Sequence, residues 1–316
     1  MALLIIAGCS EGTATTGAMA VASTAVAVAP AGGDTGLATT PATSTPTTTT
    51  TTTTPSTTRI SASLTTEQVA AALTLVERAA ATGDGSVGVR QQLLYRYLAA
   101  NPRLDDAVLA AVGDDVRPYI ERIVRARQLG QARQTAVPNP TPPTDMLPAW
   151  TVVEPLPEDE LLADYHDADA ATGIGWFWIA AIHLQETRMG RIIGTSSAGA
   201  VGPMQFLPET WKRCCTGDPL IPRDAIIGAA TYLGQSGGPA DMQAALHEYN
   251  PNDSYVATVT AFAENMRDNP RLYAAYRQWQ VFYATSAGTV RLPVGYSQGQ
   301  PIDAAHYLAS NPVDAG

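Results

Sequence analysis

Apolar side chains recur at helical spacing over most of the chain beyond residue 63. Val69, Leu73 and Val76 share one helical face, behind the Leu64-Thr65-Thr66-Glu67 start, which offers a hydroxyl cap and an acid in the first turn. Gly83-Asp84-Gly85 breaks that helix. Leu93, Leu94, Tyr97 and Leu98 form a second apolar face, and residues 104–112 and 116–129 predict a third and a fourth element. Pro138, Pro140, Pro142 and Pro143 predict a stiff linker. Further helices are expected at 157–165, with acids in its first turn, and at 176–188, apolar on nearly all sides and hence buried. Others are expected at 208–214, 223–233, 242–248 and 254–266, the last capped by Asn252 or Asp253. Residues 281–285 and 289–294 read as a hairpin turned at Ser286-Ala287-Gly288. The fold class expected is mainly α.

Composition is uneven along the chain. Residues 10–60 are nearly all Ala, Thr, Gly, Ser and Pro, and residues 47–54 are unbroken threonine. Such a segment has too little apolar surface to offset its ordering entropy, so it is expected to be a disordered stalk with a reach of roughly 40 Å. The net charge of −10 argues against a nucleic-acid partner. A basic stretch at 122–133 follows helical spacing and reads as a solvated face. The apolar start ending in Ile6-Ala7-Gly8-Cys9 resembles the lipobox of bacterial lipoproteins, without the usual basic leader. It implies export and a lipid on Cys9, which would hold the chain at a membrane. No other run is apolar and long enough to span a bilayer. Cys214 and Cys215 are adjacent, and read either as small buried thiols or as a strained vicinal pair.

The candidate chemistry centres on Glu186, at the end of the buried 176–188 helix, with Gly190 as the expected stop. Desolvation by Trp178 and Ile182 and the negative end of the helix dipole both raise a carboxyl pKa there, as a general acid requires. On residue type alone an ordinary solvated Glu is the default reading. His183 lies three residues before Glu186, but no second histidine completes a zinc signature, so it reads as a core histidine and no metal or cofactor is expected. Gly237-Gly238-Pro239 reads as an interhelical turn. Trp176, Trp178 and Trp211 read as core or cleft wall.

What reverses the default is the ordered set Glu186-Thr187, Ser196-Ser197-Ala198-Gly199-Ala200, Gly202-Pro203-Met204-Gln205, Pro208, Trp211 and Tyr249-Asn250. Over about residues 149–269 it resembles the lytic transglycosylases, lysozyme-like enzymes of bacterial cell walls, and the Gly-Pro-Met-Gln spelling is closest to the membrane-bound B-type branch. The resemblance puts Glu186 at the single catalytic acid/base. It puts Ser197 and Gln205 where the glycan's hydroxyl and N-acetyl groups are held, Met204 at the cleft wall, Tyr249 close to the acid, and Asn250 where it shapes the cleft. Thr187 stands where the family usually has Ser, and Glu248 where it usually has Ala. The implied reaction cleaves the MurNAc-GlcNAc β-1,4 bond of peptidoglycan glycan strands and closes a 1,6-anhydro ring. A lysozyme-type muramidase, using Glu209, Asp241, Glu248 or Glu264 as a second carboxylate, and a catalytically silent wall-binding lipoprotein are the alternatives. The expected organisation is a lipoprotein-type signal remnant (1–9), the stalk (10–60), a helical accessory region (61–136) and the Pro-rich linker (137–148). A lysozyme-like transglycosylase domain (149–275) and a C-terminal extension with the hairpin (276–316) follow. The chain is expected to be exported to the cell envelope.

Overall fold

In the first helix, α1 (Thr66–Ala81), the Thr65 side chain accepts from the Gln68 N–H while the Gln68 side chain caps Thr65 in return. The computed structural model describes residue 60, residues 63–136 and residues 143–314. Cys9, the threonine-rich segment and the first half of the Pro-rich linker (137–142) lie outside the described residues, which all belong to one compact unit.

The structure is mainly helical. After α1 come α2 (Gly88–Ala100), α3 (Asp105–Ala111) and α4 (Arg117–Ala136). Two short strands, β1 (Met146–Leu147) and β2 (Thr151–Val152), precede α5 (Glu158–Thr172) and α6 (Trp176–Thr187). Strand β3 (Ile192–Ile193) is followed by α7 (Pro208–Cys214), α8 (Pro222–Gln235), α9 (Met242–Tyr249), α10 (Asp253–Asp268) and α11 (Leu272–Tyr276). The chain finishes with β4 (Val281–Thr285), β5 (Gly288–Leu292), β6 (Ile302–Asp303) and α12 (Ala304–Ser310).

Helix α10 packs against both α4 and α6, so the N-terminal helices share one core with the region that carries Glu186. Its buried face, Tyr255, Val256, Val259, Phe262, Ala263 and Met266, repeats at three- and four-residue steps, and Asn252 caps it. β4 and β5 form the expected hairpin, pairing Val281 with Leu292 and Thr285 with Gly288. The pairings of β1 with β6 and β2 with β3 were not foreseen: two-residue strands leave no readable alternation. They gather Leu147, Trp150, Val152, Ile192, Val281, Val290 and Leu292 into a second small apolar cluster.

Three readings need correction or completion. The α4 basic stretch is only partly a solvated face. Arg127 is buried against the equally buried Asp105, and Arg122 reaches across to Asn265 and Asp268 of α10. Helix α6 stops before Gly190: Arg188 is already left-handed (φ 56°), Met189 follows (φ 60°), and Gly190 is the third such residue (φ 82°). Cys214 and Cys215 form a disulfide.

Candidate active site

The buried helix α6 delivers Glu186 one residue from its C-terminal end. The carboxyl group belongs to a residue only 6% exposed. Burial pushes its pKa up to about 8; the Tyr255 hydroxyl and, more weakly, the Arg188 guanidinium pull it back down. The Tyr255 hydroxyl has no partner of standard hydrogen-bond geometry among the described residues, yet lies near enough to Glu186 to favour its charged form. Arg188 is itself buried, donates to the Leu184 carbonyl at 2.5 Å, and is pulled by burial down to about 10. The acid therefore stays protonated at neutral pH, with a phenol and a guanidinium at hand for its charged form.

The turn that ends α6 places this acid against the Gly-Pro-Met-Gln loop. The buried Thr187 hydroxyl donates to the Pro203 carbonyl at 2.6 Å and accepts the Gly190 N–H at 3.1 Å. Its methyl group changes none of this, which accounts for Thr where Ser is usual. Thr187→Val leaves the Pro203 carbonyl and the Gly190 N–H without that partner and is expected to cost about 1–3 kcal/mol. Thr187→Ser should leave the urea midpoint close to that of the unmodified chain.

The loop is tightly specified. Val201 and Phe206 bond to each other through N–H and carbonyl in both directions, at 2.9 and 3.0 Å, and close the turn. Gly202 has φ 76°, and a Cβ there would stand 1.9 Å from the Pro219 carbonyl oxygen, so the position requires glycine. Gln205 is left-handed without being glycine (φ 51°), a strained backbone of the kind found at working sites. Its amide nitrogen donates to the carbonyls of Gly202 (2.9 Å) and Gly194 (3.4 Å), which leaves its carbonyl oxygen as the group it can offer a ligand's N–H.

Tyr249, from the end of α9, donates to the Met204 carbonyl at 2.6 Å. Burial raises its pKa first, and the nearby Glu186 raises it further. Its ring packs on Phe206 and Tyr232 and lies parallel to Tyr255, with centroids 6.4 Å apart. The structure thus brings Glu186, Thr187, Met204, Gln205 and Tyr249 together. Met204 is wholly buried, and it meets Tyr249 through its carbonyl oxygen. Asn250 is buried, with its side-chain oxygen unpartnered among the described residues. In the Ser-Ser-Ala-Gly-Ala loop the two serines divide: Ser196 is buried and clasps the loop through Ala200, whereas Ser197 is exposed at its turn. Trp211 is buried on Phe206 and over Gly228, and bonds Gly217.

None of the four candidate second carboxylates contributes to the shift at Glu186. Glu209 pairs with Lys212, Glu264 with Arg122, Asp241 caps α9, and Glu248 is exposed. Tyr255 and Arg188 were missed in the sequence. Tyr255 is visible in hindsight as the first aromatic on the apolar stripe of α10, six residues past Tyr249. Removing its hydroxyl removes a group that holds the Glu186 pKa down. Tyr255→Phe should therefore move the alkaline limb of kcat/KM upward from about 8. An unmoved limb would show that Tyr255 does not act on the acid.

No group of three or more His, Cys, Asp or Glu able to hold a metal ion occurs among the described residues. No described helix is long and apolar enough to cross a membrane. No family model and no solved structure matches the chain. Over 148 residues it is 26% identical to the membrane-bound lytic murein transglycosylase F of Thiobacillus denitrificans, and this match takes in 44% of the chain but only 31% of that protein. The chain is thus a distant relative, over less than half its length, of one lytic murein transglycosylase.

Proposed function

We propose that the chain is a peptidoglycan lytic transglycosylase that uses Glu186 as its single acid and base. The observation that carries this is a buried carboxyl, kept protonated at neutral pH, with no second carboxylate acting on it. In the reaction, Glu186 gives its proton to the oxygen between N-acetylmuramic acid and N-acetylglucosamine, and the C1–O bond breaks. The substrate's own N-acetyl carbonyl supports the oxocarbenium-like C1. Glu186, now a carboxylate favoured by Tyr255 and Arg188, takes the proton from the 6-hydroxyl as O6 bonds C1. The acid is regenerated and no water is consumed. Gln205 and Ser197 would hold the glycan's N-acetyl and hydroxyl groups, Tyr249 and Asn250 would shape the cleft beside the acid, and Met204 would back it.

A B-type relationship rests on the Gly202-Pro203-Met204-Gln205 spelling alone, since the similar protein is an F-type enzyme. The proposed location is the cell envelope, with a lipid on Cys9. Metabolic labelling with a fatty-acid analogue should mark the chain and leave a Cys9→Ala variant unmarked. Labelling that survives the substitution would remove the anchor.

Digestion of purified sacculi tests the reaction. Mass analysis should find muropeptides ending in 1,6-anhydro-MurNAc. Reducing ends in their place would make the chain a muramidase. Binding to sacculi without released fragments, unchanged by Glu186→Gln, would make it a silent wall-binding protein.

A further inference from the structure

The disulfide between Cys214 and Cys215 takes no part in the chemistry at Glu186. A disulfide stabilises by closing a loop in the unfolded chain, and the effect grows with the length of that loop. This one joins neighbours, so its loop is the shortest a chain can make and the bond does little as a staple. Adjacency also holds the two Cα atoms 3.7 Å apart, below the range of about 4.4–6.8 Å that disulfides usually span. Bonds forced out of that range are the more easily reduced.

The surroundings suit the reduced form. Cys214 Sγ lies 3.8 Å from the Trp211 carbonyl oxygen, and Cys215 Sγ lies 3.5 Å from that of Gly228 in α8. A disulfide sulfur has no hydrogen to give, whereas the thiols made by reduction would each find an acceptor there. Both cysteines are half-buried, and residues 212–213 and 216–218 on either side are exposed, so the bond sits within reach of a small thiol.

The pair stands behind the candidate active site. Cys214 ends α7, and the Cys215 N–H donates to the Trp211 carbonyl at 2.9 Å. Two residues on, the Gly217 carbonyl accepts the Trp211 indole N–H at 3.2 Å. The Trp211 ring is wedged between Phe206, with centroids 5.1 Å apart, and Gly228, where a Cβ would stand 2.4 Å from it. Phe206 in turn closes the Gly-Pro-Met-Gln turn with Val201 and packs on Tyr249. The covalent ring through Cys214 and Cys215 therefore stiffens the turn that positions Trp211, and Trp211 backs the loop that carries Gln205.

We propose that Cys214 and Cys215 form a thiol-responsive switch on that loop, closed in the working enzyme and opened by a dithiol. A thiolate of the dithiol attacks one sulfur, and the other cysteine leaves as a thiolate and takes up a proton. The second thiol of the reductant then displaces the first cysteine, which is protonated in turn. The pair gains two electrons and two protons, and the reductant becomes a disulfide. Opening frees residues 215–217, loosens the indole bond to Gly217 and lets Phe206 shift behind Gln205 and Tyr249. The effect on turnover rests on the transglycosylase reading; the movement of Trp211 does not.

The test compares the full chain with and without dithiothreitol. Peptide mapping after alkylation without denaturant should find Cys214 and Cys215 labelled in the treated sample only. The Trp211 indole N–H resonance, identified by its loss in Trp211→Phe, should shift on treatment and return on reoxidation. Sacculus digestion should slow at least about tenfold, as a displaced binding loop predicts. A Cys214→Ser/Cys215→Ser chain should match the reduced parent and ignore the dithiol; where it does not fold, the treated and untreated parent decide. If neither sample digests sacculi, the reading of the function fails and the indole resonance alone decides the switch. Cysteines that stay blocked until the chain is unfolded, an indole resonance that does not move, equal digestion by two active samples, or a dithiol effect that persists in the double variant would each overturn it.

Discussion

Glu186→Gln is expected to lower turnover on sacculi by at least about a thousandfold, within the range that loss of general acid–base catalysis produces. The amide matches the protonated carboxyl in shape and cannot give up a proton. Stability should not fall. The folded-state pKa of about 8 lies above the ordinary 4.5, so ionisation works against folding: the native state is unburdened below pH 4.5 and loses stability progressively up to about pH 8. Gln escapes that loss, so the variant's melting temperature should equal the parent's in acid and exceed it near pH 8. A sharp fall in melting temperature instead would make Glu186 a structural group. Activity of the unmodified chain should hold below about pH 8 and fall tenfold per pH unit above it.

Glu77→Gln should likewise raise stability as the pH rises. Glu77 is completely buried where α1, α2 and the segment after α11 meet. One carboxyl oxygen accepts from Gln91 (3.0 Å) and from the Tyr95 hydroxyl (2.5 Å), and Trp279 donates to Gln91 in turn. The second oxygen has no partner among the described residues. Burial pushes the carboxyl up to about 7, against the opposing pull of Tyr95 and Gln91. The sign is that of Glu186: folding is weakened as pH rises from about 4.5 to 7, by roughly 3 kcal/mol in all. Gln keeps an oxygen for Gln91 and Tyr95 and carries no charge. Urea unfolding should show no difference from the parent at pH 4 and a gain approaching that figure at pH 8. Equal stability of the two proteins across the range would mean that Glu77 titrates normally.

The helices, the hairpin and the acid were legible because each depends on local rules. An apolar stripe at 3.6-residue spacing buries wherever it packs, which is why 254–266 anticipated α10 closely. The burial of Glu186 was legible because a helix apolar on nearly all sides and ending in one acid leaves that acid little route to solvent. What escaped depends on tertiary pairing. The left-handed Arg188 and Met189 have no residue-type signature, since glycine is the usual choice for such backbone and Gly190 drew the reading two residues too far. Tyr255 reaches Glu186 only because α10 lies against α6. The division of labour between Ser196 and Ser197 follows from a loop clasp that spacing cannot reveal. The state of Cys214 and Cys215 could not be read from adjacency alone.

The central claim is that one carboxyl both gives and recovers the proton, so that the sugar's own hydroxyl and never water attacks the broken bond. Digesting sacculi in water enriched in oxygen-18 addresses it directly. Released muropeptides should carry no oxygen-18 at the new muramyl end. Incorporation of one labelled oxygen there would show that water is the nucleophile and would contradict the single-acid transglycosylase.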